Sequence, residues 1–374
     1  MADSVSVHVA YCDKAGALRA VHESEFDTQR LPTEGLLRGY HYSFVRNVVR
    51  NASSGFLSRI NPGLLLCVAK YDIVFLHGMG VLSYWISFFG SLFWRKTILM
   101  KGEATPELYE GIPRLRAKVR IWLYRQVLKR CRCVFYSCEG NRAFWKLHGV
   151  PDTKLRPLPC AVDNSYFQTQ AHSLRQKRLE LRRAYDIAET DTVFVMACRM
   201  TNRKRPHDLV DAAIVLHNEG MSNFTLLFIG DGPERAKLEH RCAQEGIKAN
   251  FTGFMPESRI SEGYIQADVG VVISEYDPSP KAMNEMMNFE MPVICSNVVG
   301  TVLDLVKPGQ NGFAIPVGDI SSIVESMKYF IVDAAKRAEM GRRSKEIVDQ
   351  FTFTRQAECI RTALDSFSNQ SANN

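Results

Sequence analysis

The second half of the chain alternates short apolar runs with longer segments whose apolar residues recur at helical spacing, the pattern of strands and crossover helices in a parallel sheet. Residues 192–197, 224–229, 250–252, 269–273, 293–295 and 312–315 read as strands, with a helix over about 207–219 and another from the Gly230-Asp231-Gly232-Pro233 turn to about 246. A doubly wound α/β domain is expected. Ligands in such sheets bind outside the carboxyl ends of the strands, so chemistry should gather in the loops after Ala197, Ile229, Thr252 and Ile273.

The first half is less regular. Residues 6–11, 73–76, 97–100 and 134–136 read as strands, with a helix before each of the last three. Residues 73–94 run for 22 positions without a formal charge, long enough to cross a bilayer. The stretch from Asp72 to His77-Gly78-Met79-Gly80 reads instead as a strand leaving into a glycine-bearing loop. That leaves about 14 residues, 81–94, for a buried helix, too few to span. The proline-rich run from Pro157 to Asn164 closes a first Rossmann-like domain over 1–165, and a second covers 166–350. Residues 351–367 form an amphipathic helix expected to pack back on the first domain, and 368–374 are expected to fray.

A length of 374 residues with 46% hydrophobic content agrees with two cores. The ten cysteines include no C-x-x-C pair, and no basic-then-apolar leader is present, so the expectation is a reduced, cytoplasmic chain with buried free thiols. The net charge of +7 is unevenly spread: residues 1–170 hold 23 basic against 13 acidic residues, and the remainder 24 against 27. Much of the excess lies between Pro113 and Cys133, where Arg114, Arg116, Lys118, Arg120, Arg125, Lys129, Arg130 and Arg132 interleave with Leu115, Val119, Trp122, Leu123, Val127 and Leu128 and no acid intervenes. This is a basic amphipathic helix whose apolar stripe is expected to pack on the first domain's sheet. Its charged face suits an anionic membrane surface or a phosphorylated acceptor, which would make the protein peripheral to a membrane. Nucleic acid is disfavoured, since no recognisable binding module is present.

Candidate chemistry lies in the second half. Arg199 and Lys204 follow a buried strand, and two fixed cations there stabilise a departing diphosphate without a metal. After the strand 269–273 comes Glu275-Tyr-Asp277-Pro-Ser279-Pro-Lys281-Ala-Met-Asn-Glu285, with Asp277 or Ser279 as helix cap. Glu285 can accept both hydroxyls of a ribose, Asp277 hydroxyls of a sugar, and Lys281 with the helix amides can face a diphosphate.

Taken in order, these elements resemble glycosyltransferase family 4, the retaining GT-B family. The resemblance rests on Arg199 and Lys204 with Cys198 in place of glycine, the turn Gly230 to Pro233, Gly253-Phe254, the Asp277-x7-Glu285 element, Met291-Pro292-Val293-Ile294, and Gly309 to Phe313. Weaker likeness in the first half comes from Gly35-Leu-Leu-Arg-Gly39-Tyr40, Lys101-Gly102-Glu103 and Ala161-Val-Asp163-Asn164, and the first strand-helix unit is missing from that pattern.

The resemblance implies two Rossmann-like domains facing across a cleft and a UDP- or GDP-sugar donor. Its base would lie on Gly253-Phe254, ribose on Glu285, diphosphate on Arg199 and Lys204, and sugar near Asp277, with Gly230, Ser279 and Lys281 as further donor-binding residues. His77 and Glu103 are the first-half candidates beside the transferred sugar. The implied reaction is metal-independent transfer with retention onto an anionic or lipid-linked glycan acceptor, in polysaccharide, lipopolysaccharide or glycolipid biosynthesis. No D-x-D sequence occurs, in keeping with that. Asp277 replaces a glutamate and is shorter by one methylene. Two other readings stay open: another sugar-nucleotide enzyme of the same architecture, such as an epimerase, and a non-catalytic sugar-nucleotide-binding protein. A dinucleotide-dependent dehydrogenase is disfavoured because no G-x-G-x-x-G follows a strand.

Overall fold

The computed structural model describes residues 5–14, 18, 21–23, 28–30, 37–49 and 55–372. Gly35 and Leu36 of the first-half motif lie outside these residues. The early strands are β1 (His8–Tyr11), β2 (Val21–Glu23), β3 (Thr28–Arg30) and β4 (His41–Phe44). β1 pairs in parallel with β4, and β2 with β3 in antiparallel. A separate sheet runs in the order β5 (Ile73–His77), β6 (Thr97–Lys101), β7 (Cys133–Tyr136) and β8 (Leu155–Pro157). Among the described residues β5 pairs on one side only, with β6, and its alternate residues Ile73 and Phe75 are exposed.

The helices of this half are α1 (Leu64–Cys67), α2 (Leu82–Phe93), α3 (Arg114–Arg130) and α4 (Glu139–Leu147). The uncharged run resolves into β5 and the 12-residue α2, and no helix among the described residues is long and apolar enough to cross a membrane. In α3 the expected packing of the whole apolar stripe is not found. Only Val127 and Leu128, in its last turn, are buried, whereas Leu115, Val119 and Trp122 are 75%, 50% and 59% exposed and Leu123 is exposed as well. Spaced four and three apart, Leu115, Val119 and Trp122 share one helix face. The helix therefore carries an uncovered apolar strip among its cations.

The second half contains α5 (Asn164–Leu174), α6 (Arg178–Ala184), β9 (Thr192–Ala197), α7 (Pro206–Asn218), β10 (Phe224–Ile229), α8 (Arg235–Gln244), β11 (Ala249–Phe251), α9 (Glu257–Tyr264), β12 (Val269–Val272), α10 (Lys281–Met287), β13 (Val293–Ser296), α11 (Val302–Leu305), β14 (Gly312–Ile315), α12 (Ile320–Val332), α13 (Ala334–Val348) and α14 (Phe353–Ala372). Its strands form one parallel sheet in the order β11-β10-β9-β12-β13-β14. Side-chain alternation divides β9 between two cores. Phe194 and Met196 face a cluster with Leu209 and Val210 of α7 and Phe330 of α12, while Val193 and Val195 face one with Met283, Met286 and Met287 of α10. Both faces of the sheet are thus covered, as parallel sheets require.

The chain divides into two compact units, one of residues 1–102, 113–135 and 148–156, the other of 103–112, 136–147 and 157–374. Helix α14 belongs to the second unit, where Gln356 donates to the Pro159 carbonyl at 2.6 Å, and its backbone is helical to Ala372, into the segment expected to fray.

Candidate active site in the second unit

The strand order reverses between β9 and β12: the chain leaves β9 towards α7 on one face and β12 towards α10 on the other. Loops diverging to opposite faces open a crevice at the carboxyl ends of these strands. Arg199 and Lys204 leave β9 here, and Asp277 leaves β12.

The first loop is pinned by its backbone. Cys198 N–H donates to the Ile229 carbonyl and Met200 N–H to the Asp231 carbonyl, both at 2.9 Å, and leave Arg199 exposed between two fixed points. A 3-10 turn over Asn202–Lys204 follows, ending at Arg205 in the left-handed region with φ of 55°. Lys204 Nζ forms an ion pair with Asp277 Oδ2, the two side chains being only 15% and 12% exposed. Beside it Glu275 N–H donates to the Arg203 carbonyl at 3.0 Å, and the Arg203 guanidinium donates to the Tyr276 carbonyl at 2.7 Å. The two loops are thereby joined by backbone, side-chain and ionic contacts.

The Asp277 to Glu285 element differs from the expected cap. α10 starts at Lys281 with Pro280 before it and no side-chain cap, because proline at 278 and 280 holds the approach extended and Asp277 and Ser279 have other partners. Asp277 holds Lys204, and its carbonyl accepts from Gly300 N–H at 2.9 Å. Ser279 Oγ donates to Cys160 Sγ at 2.8 Å, and Lys281 Nζ lies 3.0 Å from the same sulfur. Desolvation works against the charge on Lys281, but Cys160, Glu103 and Glu285 around it carry its pKa above the ordinary lysine value. Glu103 is thereby placed in the electrostatic surroundings of Lys281. His77 belongs to the first unit, at the end of β5 opposite Lys101.

Glu285 sits one turn into α10 and accepts from the Tyr264 hydroxyl at 2.7 Å. Burial pushes its carboxyl above the usual range, opposed by the Tyr264 hydrogen bond; Glu257 adds to the rise and Lys281 counters it. Full burial, and after it the pairing with Glu285, push the Tyr264 hydroxyl well up, so it remains the proton donor. A set of buried amides holds α10 in place. Asn284 donates to the Cys160 carbonyl at 3.2 Å, and Asn288 donates to Asn164 Oδ1 at 2.9 Å. Asn164 in turn donates to the carbonyls of Val348 and Phe351.

Across the crevice, Gly230 N–H donates to the Gly253 carbonyl at 2.9 Å in an isolated bridge between the turns after β10 and β11. Gly230 has φ of 124°, and a Cβ there would lie 2.1 Å from the Cys198 carbonyl oxygen, so only glycine lets the two loops approach. Phe254, next along, is 58% exposed.

Sequence reasoning missed Tyr264, Cys160 and Asn284. Tyr264 precedes a strand at its amino end with no motif around it, Cys160 reads as an ordinary buried thiol, and Asn284 lies inside the 277–285 element without a role. The carbonyl oxygen of the Asn284 side chain is buried without a hydrogen-bond partner among the described residues, the one signal that marks it, and only the structure gives it.

Residues 177–347 match the family model described as glycosyl transferases group 1. Sulfoquinovosyl transferase SQD2 of Arabidopsis thaliana is 27% identical over 139 residues, which are 36% of this chain and 27% of that protein. The UDP-Gal:alpha-D-GlcNAc-diphosphoundecaprenol alpha-1,3-galactosyltransferase of Escherichia coli is 24% identical over 216 residues, 57% of this chain and 54% of that one. The chain thus spans between about a quarter and a half of these relatives' lengths. Among solved structures, Anabaena Alr3699/HepE in complex with UDP has a TM-score of 0.69 at 16% identity, covering 87% of this chain and 86% of its own. That likeness is one of fold: the protein has the GT-B fold of two Rossmann-like domains.

Proposed function

We propose that this protein is a retaining glycosyltransferase of family 4 that moves a sugar from a nucleotide-sugar donor to an acceptor hydroxyl without a metal. The observation that carries the reading is the Lys204–Asp277 ion pair, which joins the loops after β9 and β12 at the switch point of the second unit's sheet, with Arg199 on the first loop and Glu285 in the helix that follows the second. It falls within the segment that matches the glycosyl transferases group 1 model.

In this reading Glu285 takes the ribose hydroxyls, Phe254 and Gly253 flank the base, and Arg199 and Lys204 hold the diphosphate. The bond between the anomeric carbon and the β-phosphate oxygen breaks while the acceptor oxygen bonds to the same face of that carbon. The leaving phosphate oxygen takes the acceptor's proton. Negative charge growing on the diphosphate is met by fixed cations, which is where most of the rate advantage of such a site comes from. Asp277, tied to Lys204, lies between sugar and diphosphate, so one ion pair senses both.

UDP is the first base to test, since the Anabaena neighbour was solved with UDP and the Escherichia coli relative is named for UDP-Gal. A lipid-linked diphosphate glycan is the acceptor class that best fits the basic first half and that relative's name. The uncovered strip of Leu115, Val119 and Trp122 among the cations of α3 supports docking on an anionic membrane surface, with the protein peripheral to it.

The test is a panel of UDP-, GDP- and ADP-sugars, scored by thermal shift and by release of nucleoside diphosphate with and without an undecaprenyl-diphosphate glycan. One donor should stabilise the chain and be consumed only when acceptor is present. Consumption without acceptor and with change of the sugar itself would favour the epimerase reading. Binding of a donor without turnover under any acceptor would favour the non-catalytic one.

A further inference from the structure

At the opposite end of the second unit's sheet from the crevice, the amino ends of β12 and β13 border a cavity of about 540 Å3. It is walled by α5 and α13 and floored by Ala267-Asp268 and Asn288-Phe289-Glu290. Arg175, Arg178, Arg337, Arg342 and Lys345 line it with His172, against two lining carboxylates, Asp268 and Glu290.

The pairing of these groups leaves positive charge over. Asp268 is fully used: its oxygens accept from Arg178 at 2.6 Å, from Arg182 at 2.7 Å and from the Val193 N–H at 2.8 Å. Burial alone would raise its carboxyl, but Arg178 and Arg182 hold it below the usual range, so it is ionised and already shared by two guanidinium groups. Arg337 donates to neutral acceptors, Thr192 Oγ1 at 2.9 Å and the Phe330 carbonyl. Lys345 pairs with Asp349 at 2.9 Å on the rim. Arg175 reaches Glu290 only at 4.0 Å with a side chain 70% exposed, and Arg342 is exposed with no ion pair among the described residues. Glu290 itself is held in the left-handed region with φ of 58°, its carbonyl 1.9 Å from where a Cβ on Gly341 of α13 would sit, which fixes the floor against the α13 wall.

We propose that this cavity binds a small phosphate-bearing anion, a diphosphate or a phosphate ester. Guanidinium groups present paired donors that match phosphate oxygens, and several such groups in a concave site that outnumber its carboxylates are the usual form of a phosphate pocket. The volume admits a group of this size with room for an organic portion against Phe289 and Ala171. The site is separate from the crevice that holds Arg199 and Lys204.

The probe is inorganic pyrophosphate, titrated calorimetrically into the full chain carrying Arg199→Ala and Lys204→Ala, which removes the crevice cations as a competing site. Binding at one equivalent is expected to persist there and to weaken at least tenfold when Arg175→Ala and Arg342→Ala are added. Both of these arginines are exposed, so the melting temperature without pyrophosphate should be unchanged and serves as the control for folding. Loss of all binding with the crevice substitutions alone would overturn the proposal, as would binding that survives Arg175→Ala with Arg342→Ala. Neither outcome depends on whether the protein transfers a sugar.

Discussion

Lys204 and Asp277, 73 residues apart in the chain, form an ion pair with both side chains mostly out of solvent, at the point where the second unit's sheet reverses its strand order. In a crevice where a diphosphate and a sugar would meet, one member can serve each. Lys204→Ala should lower turnover about 100- to 1000-fold, the range seen when one electrostatic donor is removed from a transition state. It should also cost about 1–3 kcal/mol of stability by leaving Asp277 unpartnered. Adding Asp277→Ala should restore part of that stability and none of the activity, which a double-mutant cycle in urea melts and initial rates would reveal.

Tyr264 donates to Glu285 at 2.7 Å and favours its ionised form. Tyr264→Phe removes that donor, so the Glu285 carboxyl should titrate still higher. Nucleotide affinity that needs the carboxylate should then fall off at a higher pH than in the parent chain. Calorimetric titration of UDP between pH 5 and 8 checks it, and an unmoved acidic limb would show that Glu285 does not hold the ribose.

Asp304 accepts from the Glu139 N–H at 2.9 Å, and burial pushes its carboxyl from 3.8 up to about 6. Because the folded value lies above the unfolded one, the associated stability is fully present below pH 4 and is lost as pH rises through about 6. Asp304→Asn removes this titration, so the difference in unfolding free energy between variant and parent should grow in the variant's favour by on the order of 2 kcal/mol between pH 4 and pH 7. Denaturant melts at the two pH values measure it.

Gly230→Ala places a methyl 2.1 Å from the Cys198 carbonyl oxygen at a φ few other residues adopt. The loop after β9 would have to move, at a cost of about 3 kcal/mol. Thermal unfolding should show the loss, and UDP affinity should fall with it because Arg199 is carried by the displaced segment.

Trp122→Ala, at a position 59% exposed on α3, should leave thermal stability nearly unchanged and weaken co-sedimentation with phosphatidylglycerol vesicles about tenfold, as expected for one aromatic side chain removed from an apolar phase. Added salt should weaken binding of both chains, since the cations around it act through a screened field. Equal binding by variant and parent would remove α3 from the membrane reading.

What the sequence by itself determined is clearest where burial is complete. β9 and β10 were legible to the residue, because strands covered on both faces are dominated by apolar side chains, with Thr192 and Thr225 the exceptions here, and end sharply at polar loops. Arg199 and Lys204 were singled out by their place after β9, and Asp277 and Glu285 by theirs after β12. The short strands β2, β3, β4 and β8 were not legible, because their sequences mix polar with apolar residues, whereas the equally short β13 and β14 are mostly apolar and were read. The tertiary structure alone decided which partner each polar group took. Lys204 on Asp277, Tyr264 on Glu285, and Ser279 and Lys281 on Cys160 join residues 21 to 121 positions apart, and hydrogen bonds of that kind leave no spacing in the chain. The exposure of α3 was likewise decided there. A helical repeat shows that a helix has an apolar face, but whether anything covers that face depends on what the rest of the fold places beside it.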